Sequence, residues 1–147
     1  TALKSDPYFS LPPPKSTGRE YFHEAWLASV LSRLRHMPSA VDVQATLARL
    51  TAECVSAAID AHLPDCLDVV VCGGGARNAA LMELLAECVG QKRAVRTSDE
   101  AGWPSGAIEA STFAWLAHRR LAGLAGNEPS VTGASAPVLL GAVYEAR

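Results

Sequence analysis

The sequence lacks the patterns that define several large classes of protein. Its four cysteines, Cys54, Cys66, Cys72 and Cys88, form no Cys-x-x-Cys pair and stand at no ligand spacing with histidines, so a zinc site is not expected. No apolar run reaches the roughly 20 residues that span a bilayer, and the first residues carry no signal-peptide pattern. We therefore expect a soluble cytoplasmic protein whose cysteines are small core residues.

The sequence also lacks an excess of charge of either sign. Lys and Arg number 13 and Asp and Glu number 15, which gives a net charge of -2 and no basic field for nucleic acid or anionic membrane. Aromatic residues make up only 6%, but hydrophobic residues reach 49%, which argues against disorder. A chain of 147 residues is expected to form one domain around one core, burying about two thirds of its unfolded surface.

What the sequence does contain is an apolar run that passes through three glycines into a helix. Residues 67–72 are mostly β-branched and apolar, which predicts a parallel strand buried on both faces. After the glycines at 73–75, a helix is predicted from about Arg77 to Val89, with Gly90 as its end. A short strand over 94–97 completes a right-handed parallel crossover, so the sequence predicts an α/β fold.

The glycine corner allows two interpretations. Gly73, Gly74 and Gly75 have no Cβ, so the backbone there can adopt positive φ and another molecule can approach it closely. The end of a parallel strand and the start of a helix are common ligand sites, but neither a Walker A loop nor a Gly-x-Gly-x-x-Gly pattern is present. A plain strand-to-helix turn therefore remains open, whereas Asn78, predicted one turn into the helix and not needed for packing, favours a ligand.

Two helices are predicted before the strand. The prolines of residues 7–14 favour an extended segment, and Thr17-Gly18-Arg19-Glu20 forms a capping-box pattern that begins a helix reaching about His36. Asp42 is predicted to cap a second helix, which ends before Pro64. The apolar stripe of that helix comprises Val43, Leu47, Leu50, Cys54, Ala57, Ala58 and Ala61. His62 is interpreted as a helix-end residue and not as a metal ligand.

The chain beyond the second strand is predicted to hold a loop, a helix and a closing strand. Asp99 and Glu100 lie in a turn-rich loop at 98–104, where they either contact a ligand or are solvated. A helix runs from Ser105 or Gly106 to about Ala122, followed by a loop at 127–134 and a strand at 138–144. The core stripe of this helix comprises Ile108, Phe113, Leu116, Ala117 and Leu121.

Four stretches of the chain together resemble one kinase family. Residues 72–82, Cys-Gly-Gly-Gly-Ala-Arg-Asn-x-x-Leu-Met, resemble the adenosine motif of the actin/Hsp70/sugar-kinase superfamily. Asp6-Pro7-Tyr8-Phe9 with residues 13–20, then residues 109–117, then residues 127–134 resemble anhydro-N-acetylmuramic acid kinase. The likeness covers nearly the whole chain in one order, and it corresponds to the C-terminal part of a family whose members are more than twice this length.

The resemblance implies a fold and a function. The fold is one lobe of an actin-like (ribonuclease-H-like) kinase, a short mixed sheet packed with helices; residues 1–147 form a single C-terminal lobe and the N-terminal lobe is absent. The implied reaction uses ATP and Mg²⁺ to open 1,6-anhydro-N-acetylmuramic acid hydrolytically and phosphorylate it to N-acetylmuramic acid 6-phosphate in peptidoglycan recycling. The catalytic carboxylate and the metal ligands are expected in the absent lobe, so this chain alone is expected to be inactive, and family members are expected to be homodimers.

The resemblance also implies site residues. Gly73, Gly74, Gly75 and Asn78 are expected to contact the nucleotide, and the sugar is expected to contact Glu109 together with Lys15, Ser16 and Thr17. From the residues alone, Lys15-Ser16-Thr17 could equally be a helix cap and Glu109 a complement to a helix dipole. A kinase for another sugar or acyl acceptor, or a non-catalytic nucleotide-binding module, remain alternative functions.

Overall fold

The computed structural model describes residues 2–145 and contains five helices and two strands in those residues. The helices are α1 (Glu24–Leu31), α2 (Ala40–His62), α3 (Ala79–Val89), α4 (Ile108–Leu121) and α5 (Pro129–Thr132). The strands are β1 (Asp68–Val71) and β2 (Ala94–Thr97), and short 3₁₀ turns span Ala2–Ser5, Pro7–Ser10 and Gly74–Arg77. The predicted α/β class is therefore confirmed.

The strand–helix–strand unit around the glycines forms as predicted. β1 and β2 pair in parallel with Val69 opposite Val95 and Val71 opposite Thr97, and Gly90 ends α3 with φ 72°. The prediction that β1 is buried on both faces was wrong, because its side chains alternate and Val70 remains 45% exposed. Cys72 does not end a buried strand but lies exposed just beyond β1.

The sheet of the described residues is purely parallel, not mixed, because the predicted closing strand at 138–144 does not form. Gly141 takes φ +81° in the middle of that segment, which interrupts an extended strand. The backbone of Val138 bonds instead to Gly126 and Asn127, which follow α4. Its N–H donates to Asn127 Oδ1 (2.7 Å), and its carbonyl accepts from Gly126 N (3.0 Å). These bonds hold the C-terminal segment beside α4 and away from the sheet.

The core of the chain lies between α2 and α3. Ala52 of α2 is fully buried, and Leu85 and Val89 of α3 are each 4% exposed. Ser56 is buried in the same interface and donates to the carbonyl of Cys88 (2.8 Å). The buried face of α2 is therefore offset from the predicted stripe, because Ala57, Ala58 and Ala61 are exposed.

The side chain of Arg93 joins three segments around this core by hydrogen bonds. This side chain is only 7% exposed. The guanidinium donates to Asp60 Oδ1 (2.6 Å) and to the carbonyls of Cys66 (3.2 Å), Pro64 (3.4 Å) and Val89 (3.4 Å). These acceptors belong to the end of α2, the loop before β1 and the end of α3. Since a guanidinium is a rigid fork of donors, one side chain can fix the positions of all three segments.

The core is small for a chain of this length. The protein exposes 10,725 Å², whereas a compact monomer of 147 residues exposes about 7,200 Å². The chain therefore buries less of its unfolded surface than the predicted two thirds, and the single domain stays a prediction. Among the described residues, five hydrophobic side chains are buried: Leu3, Val30, Ala52, Leu85 and Val89.

The first two predicted helices begin at different residues from those expected. His23, not Thr17, caps α1 and accepts from Trp26 N (3.3 Å), and residues 19–23 form a turn in which Phe22 N bonds to Gly18 O (3.1 Å). Ser39 caps α2, since its hydroxyl oxygen accepts from Asp42 N (3.1 Å) and donates to the Asp42 carboxylate (2.7 Å). Asp42 thus supports the cap but does not form it.

An aromatic cluster explains why the Thr17 capping box does not form. Phe22 contacts Tyr8, Phe9 and Trp26 with ring centroids 4.8–5.4 Å apart. Asp6 holds the cluster, because its carboxylate accepts from Trp26 Nε1 (2.8 Å), Tyr21 OH (2.9 Å) and Tyr8 N (2.9 Å). Packing of the aromatic rings draws the chain into a turn before α1 can begin.

Asp6 is expected to make stability depend on pH. The Trp26 indole, and then the Tyr8 amide and the Tyr21 hydroxyl, lower the pKa of Asp6 below its ordinary value. The folded pKa is below the unfolded one, so this stabilisation is present above the unfolded pKa and is lost as pH falls through the folded pKa. Asp6→Asn removes the charge and replaces one of the two acceptor oxygens by a donor, so it should unfold at lower urea than the parent at pH near 7.

The gap between the two urea midpoints should begin to narrow as pH falls below about 4, near the unfolded pKa of Asp6, and should be smallest below the lowered folded pKa, where position 6 is uncharged in both proteins. Asp65→Asn is a matched control, since Asp65 is exposed and its side chain makes no hydrogen bond to a described residue. A gap that stays constant with pH would show that the Asp6 charge does not stabilise the fold.

Candidate functional site

A cleft of about 450 Å³ lies where β1, the glycine corner and the start of α4 meet. Gly73, Gly74 and Glu109, which are far apart in sequence, line this cleft together. The remaining lining residues are Cys72, Arg77, Ser105, Gly106, Ile108, Thr112 and Phe113. The carboxyl end of a parallel strand is where ligands bind in α/β sheets, so this cleft is the candidate functional site.

The glycine corner leaves its backbone open to the cleft. Gly73 takes φ 72° and ψ -160°, which only glycine adopts readily, whereas Gly74 and Gly75 begin a 3₁₀ turn without positive φ. A Cβ added to Gly73 or Gly74 would meet no atom within 4 Å among the described residues beyond the chain neighbours. The glycine at 73 is thus required by the turn, and the one at 74 leaves room beside the backbone.

Gly75 and Asn78 serve the helix that follows. A Cβ on Gly75 would lie 3.6 Å from Leu81 Cδ2, so this glycine faces α3 and not the cleft. Asn78 is the N-cap of α3, and its Oδ1 accepts from Leu81 N (3.2 Å). The expectation that Asn78 lies one turn into the helix and is not needed there was wrong; a nucleotide contact by Asn78 or Gly75 stays a prediction.

Glu109 lies in the first turn of α4 with its side chain exposed to the cleft. Its carboxylate makes no hydrogen bond or ion pair to any residue between 2 and 145, and the N-cap residue Ala107 provides no side-chain cap. A carboxylate there complements the helix dipole, and it is also free to accept hydrogen bonds from a ligand. The sugar-binding role of Glu109 stays a prediction.

The loop before α4 carries a site residue that the sequence did not indicate, Ser105. Asp99 accepts from the backbone N–H of Ser105 (3.1 Å), which is 7% exposed and lines the cleft. The Ser105 hydroxyl and amide, with the Arg77 guanidinium nearby, lower the pKa of Asp99. Glu100 accepts from the amide (2.6 Å) and the hydroxyl (2.9 Å) of Thr97. Both carboxylates therefore shape the loop that brings α4 to the glycine corner.

Arg77 is the cationic side chain of the cleft. It ends the 3₁₀ turn of the glycine corner, and its Nη2 lies 3.6 Å from the position of a Cβ on Gly106. Its guanidinium makes no hydrogen bond within residues 2–145, so it is available to a ligand in the same way as Glu109. Its position directly after the three glycines is the sequence signal that identifies it.

Lys15, Ser16 and Thr17 lie away from this cleft. Lys15 is half-buried in a separate cleft of about 850 Å³ between the N-terminal segment and α2. Its ammonium donates to the carbonyls of Tyr8 (3.1 Å) and Phe9 (3.4 Å) and lies 4.8 Å from the Tyr8 ring centroid. Ser16 and Thr17 are exposed. Their sugar-binding role stays a prediction, but the structure does not bring them together with Glu109.

Asn127 and Thr132, in the stretch 127–134 that carries part of the resemblance, form hydrogen bonds within their own loop. Asn127 donates to Ala136 O (3.1 Å) and accepts from Val138 N (2.7 Å), which fixes the start of the C-terminal segment. The Thr132 hydroxyl donates to Glu128 O (3.3 Å) in α5. These side chains explain the loop conformation without a ligand.

Residues 2–145 provide no group of three or more His, Cys, Asp or Glu side chains that could hold a metal ion. The four cysteines in this range are free thiols. None of the described helices is long and apolar enough to cross a bilayer.

Comparison with known proteins gives one consistent result. The family model described as anhydro-N-acetylmuramic acid kinase matches residues 1–146. A protein of Bordetella pertussis named anhydro-N-acetylmuramic acid kinase is 50% identical over 148 residues, which cover 98% of this chain and 38% of that protein. One of the same name from Cupriavidus pinatubonensis is 48% identical over 144 residues, 97% of this chain and 38% of its own length. The chain thus spans less than two fifths of these relatives.

Proposed function

The chain belongs to the anhydro-N-acetylmuramic acid kinase family, and from this premise we propose that it forms the nucleotide- and sugar-contacting C-terminal lobe of such a kinase. The proposed reaction is the ATP-dependent hydrolytic opening and phosphorylation of 1,6-anhydro-N-acetylmuramic acid to N-acetylmuramic acid 6-phosphate, in cytoplasmic peptidoglycan recycling. The observation that carries the proposal is the cleft in which the open backbone of Gly73 and Gly74 lies together with the unpaired carboxylate of Glu109.

Within this proposal each wall of the cleft has a separate task. The backbone at Gly74 borders the nucleoside, since nothing in residues 2–145 fills the space beside it. Glu109 accepts hydrogen bonds from the hydroxyl or amide groups of the sugar, because its carboxylate has no partner within those residues. Binding both substrates in one cleft supplies the proximity that phosphoryl transfer requires.

Mg²⁺ would neutralise charge on the transferred phosphoryl group. The described residues do not fit a magnesium site, because they contain no cluster of carboxylates that could hold one. We propose that the metal ligands and the carboxylate that activates water belong to the part of the family protein that this chain does not match, and that this polypeptide alone has no turnover.

Gly74→Val tests the nucleotide side of the proposal. The branched side chain would project into the space where we place the nucleoside, and Gly74 has no positive φ that the substitution would strain. ATP affinity should fall at least about tenfold, or about 1.4 kcal/mol, while the fold survives. The measurement is calorimetric titration of ATP into a full-length chimera, in which this chain replaces the matched residues of the Bordetella pertussis relative.

Gly123→Ala in the same chimera is the control, since Gly123 lies beyond α4 and does not line the cleft. It should leave ATP affinity within about twofold of the parent, although its φ of +67° will cost some stability. If Gly74→Val binds ATP as tightly as the parent, the glycine corner is a structural turn and the nucleotide does not bind beside it.

Two other functions are distinguished by the same chimera. A kinase with a different sugar or acyl acceptor would bind ATP normally, but its thermal midpoint would rise with that acceptor and not with 1,6-anhydro-N-acetylmuramic acid. A non-catalytic nucleotide-binding module would bind ATP and show no stabilisation by either acceptor.

A further inference from the structure

An apolar groove of about 590 Å³ runs between α4 and the C-terminal segment. We define the α4 groove by six of its lining residues: Phe113, Leu116, Leu121, Leu140, Val143 and Tyr144. Leu121 is 75% exposed and Phe113 is 68% exposed, and Arg120 is the charged side chain that lines the groove among the described residues. A surface of this composition fits an apolar partner and not a nucleic acid or an acidic peptide.

α4 itself lacks the packing that normally stabilises a helix. None of its fourteen residues is buried, and extensive contacts in residues 2–145 join α2 with α3, α3 with β2 and β1 with β2, but not α4 with another helix or strand. The predicted core stripe of α4 was therefore wrong for this chain, because Phe113, Ala117 and Leu121 are exposed. Since helices in proteins are stabilised mainly by burying an apolar face, α4 has a face without its partner.

The exposed area indicates the size of the missing partner. The chain exposes 10,725 Å², about 3,500 Å² more than the 7,200 Å² or so of a compact monomer of this length. A standard protein–protein interface covers only about 800 Å² on each side. This excess is summed over the whole chain and not over the α4 groove alone, but it exceeds what a standard contact with a second copy would bury and is of the size expected for an interface within one folded unit.

We propose that the α4 groove is the docking surface for the part of the family protein that this chain does not match. That part is the larger share of the relatives, since the matched residues cover 38% of their length. In a full-length chain it would be tethered to this surface, which gives it a high effective concentration there. The proposal rests on family membership and not on the proposed kinase activity.

Phe113 connects the groove to the candidate site. Its side chain lines both the α4 groove and the cleft with Gly73 and Glu109. A partner seated in the groove would therefore also border the cleft. Docking at this surface would bring the remaining groups of the proposed site next to Glu109 at the same end of α4.

The test is co-purification of the two parts. This chain is produced together with the tagged part of the Bordetella pertussis relative that lies outside the 148 matched residues. The parent chain should be retained at one-to-one stoichiometry. Leu121→Ser combined with Val143→Ser should reduce retention at least tenfold. Both native side chains are exposed in the groove, so the two serines make the groove less apolar without disturbing the core. Phe113→Ser alone is a second variant.

Met37→Ser and Val41→Ser are matched controls, since these side chains are 73% and 78% exposed and lie outside the groove. Both should be retained like the parent, and circular dichroism should show the same helix content for all variants. The proposal is overturned if the parent chain is not retained, or if the groove variants are retained equally. It is also overturned if the isolated chain sediments as a dimer that the groove variants convert to a monomer, because the occupant is then a second copy.

Discussion

Truncation of Leu85 to alanine is expected to cost about 2 to 5 kcal/mol of unfolding free energy, the range for a buried leucine whose surroundings cannot collapse fully. Leu85 is 4% exposed on α3, which packs on α2, the helix that carries the fully buried Ala52. Because only five hydrophobic residues of the described chain are buried, the loss of one of them removes a large share of the core. Urea unfolding followed by circular dichroism measures the change.

Leu67→Ala is the control for this truncation. Leu67 precedes β1 and is 73% exposed, so the same chemical change should shift the free energy of unfolding by no more than about 0.5 kcal/mol. Equal losses at residues 67 and 85 would show that the α2–α3 interface does not carry the stability of the chain.

Replacing Arg93 with methionine is expected to cost about 1.5 to 3 kcal/mol, the value of hydrogen bonds made by a charged group. The methionine keeps much of the apolar stem but leaves the carbonyls of Cys66, Pro64 and Val89 without their donor. Arg93→Lys should recover only part of the loss, because a single ammonium cannot reach acceptors on three segments. The readout is again the urea midpoint.

Arg35→Met is the matched control for Arg93→Met. Arg35 is exposed, and its side chain makes no hydrogen bond to a described residue, so its replacement should leave the midpoint nearly unchanged. If Arg93→Met unfolds at the same urea concentration as the parent, the guanidinium contacts are not what joins α2, β1 and α3.

The features predicted correctly from sequence are those set by local patterns. An apolar run predicts β1, a helical repeat ended by Gly90 predicts α3, and a second short apolar run predicts β2. Each of these signals lies within the element that it predicts. The glycine corner and the start of α4 meet at the end of β1, as the rule for parallel sheets predicts. The outline of the candidate site could therefore be found without a structure.

The features predicted wrongly depend on contacts between distant segments. The capping box at Thr17 does not form because Phe22 packs against Tyr8 and Phe9. The strand at 138–144 does not form because the backbone of Val138 bonds to Asn127. The buried face of α2 is decided by α3, which the repeat within α2 cannot reveal. Ser105 escaped prediction as a site residue because loop 98–107 has no periodic signal, whereas the position of Arg77 directly after the glycines was a signal that could have identified it.

The uneven packing of the chain predicts that it does not unfold as one cooperative unit. The layer of α2, α3, β1 and β2 shares a core, whereas α4 and the C-terminal segment are joined to it mainly through loops. Local opening of α4 therefore requires less free energy than global unfolding. Gly74 adjoins the layer of α2, α3, β1 and β2, whereas Glu109 belongs to α4. A ligand held between these two residues would be bound only when the layer and α4 are both ordered, so binding would couple the opening of α4 to the opening of the layer.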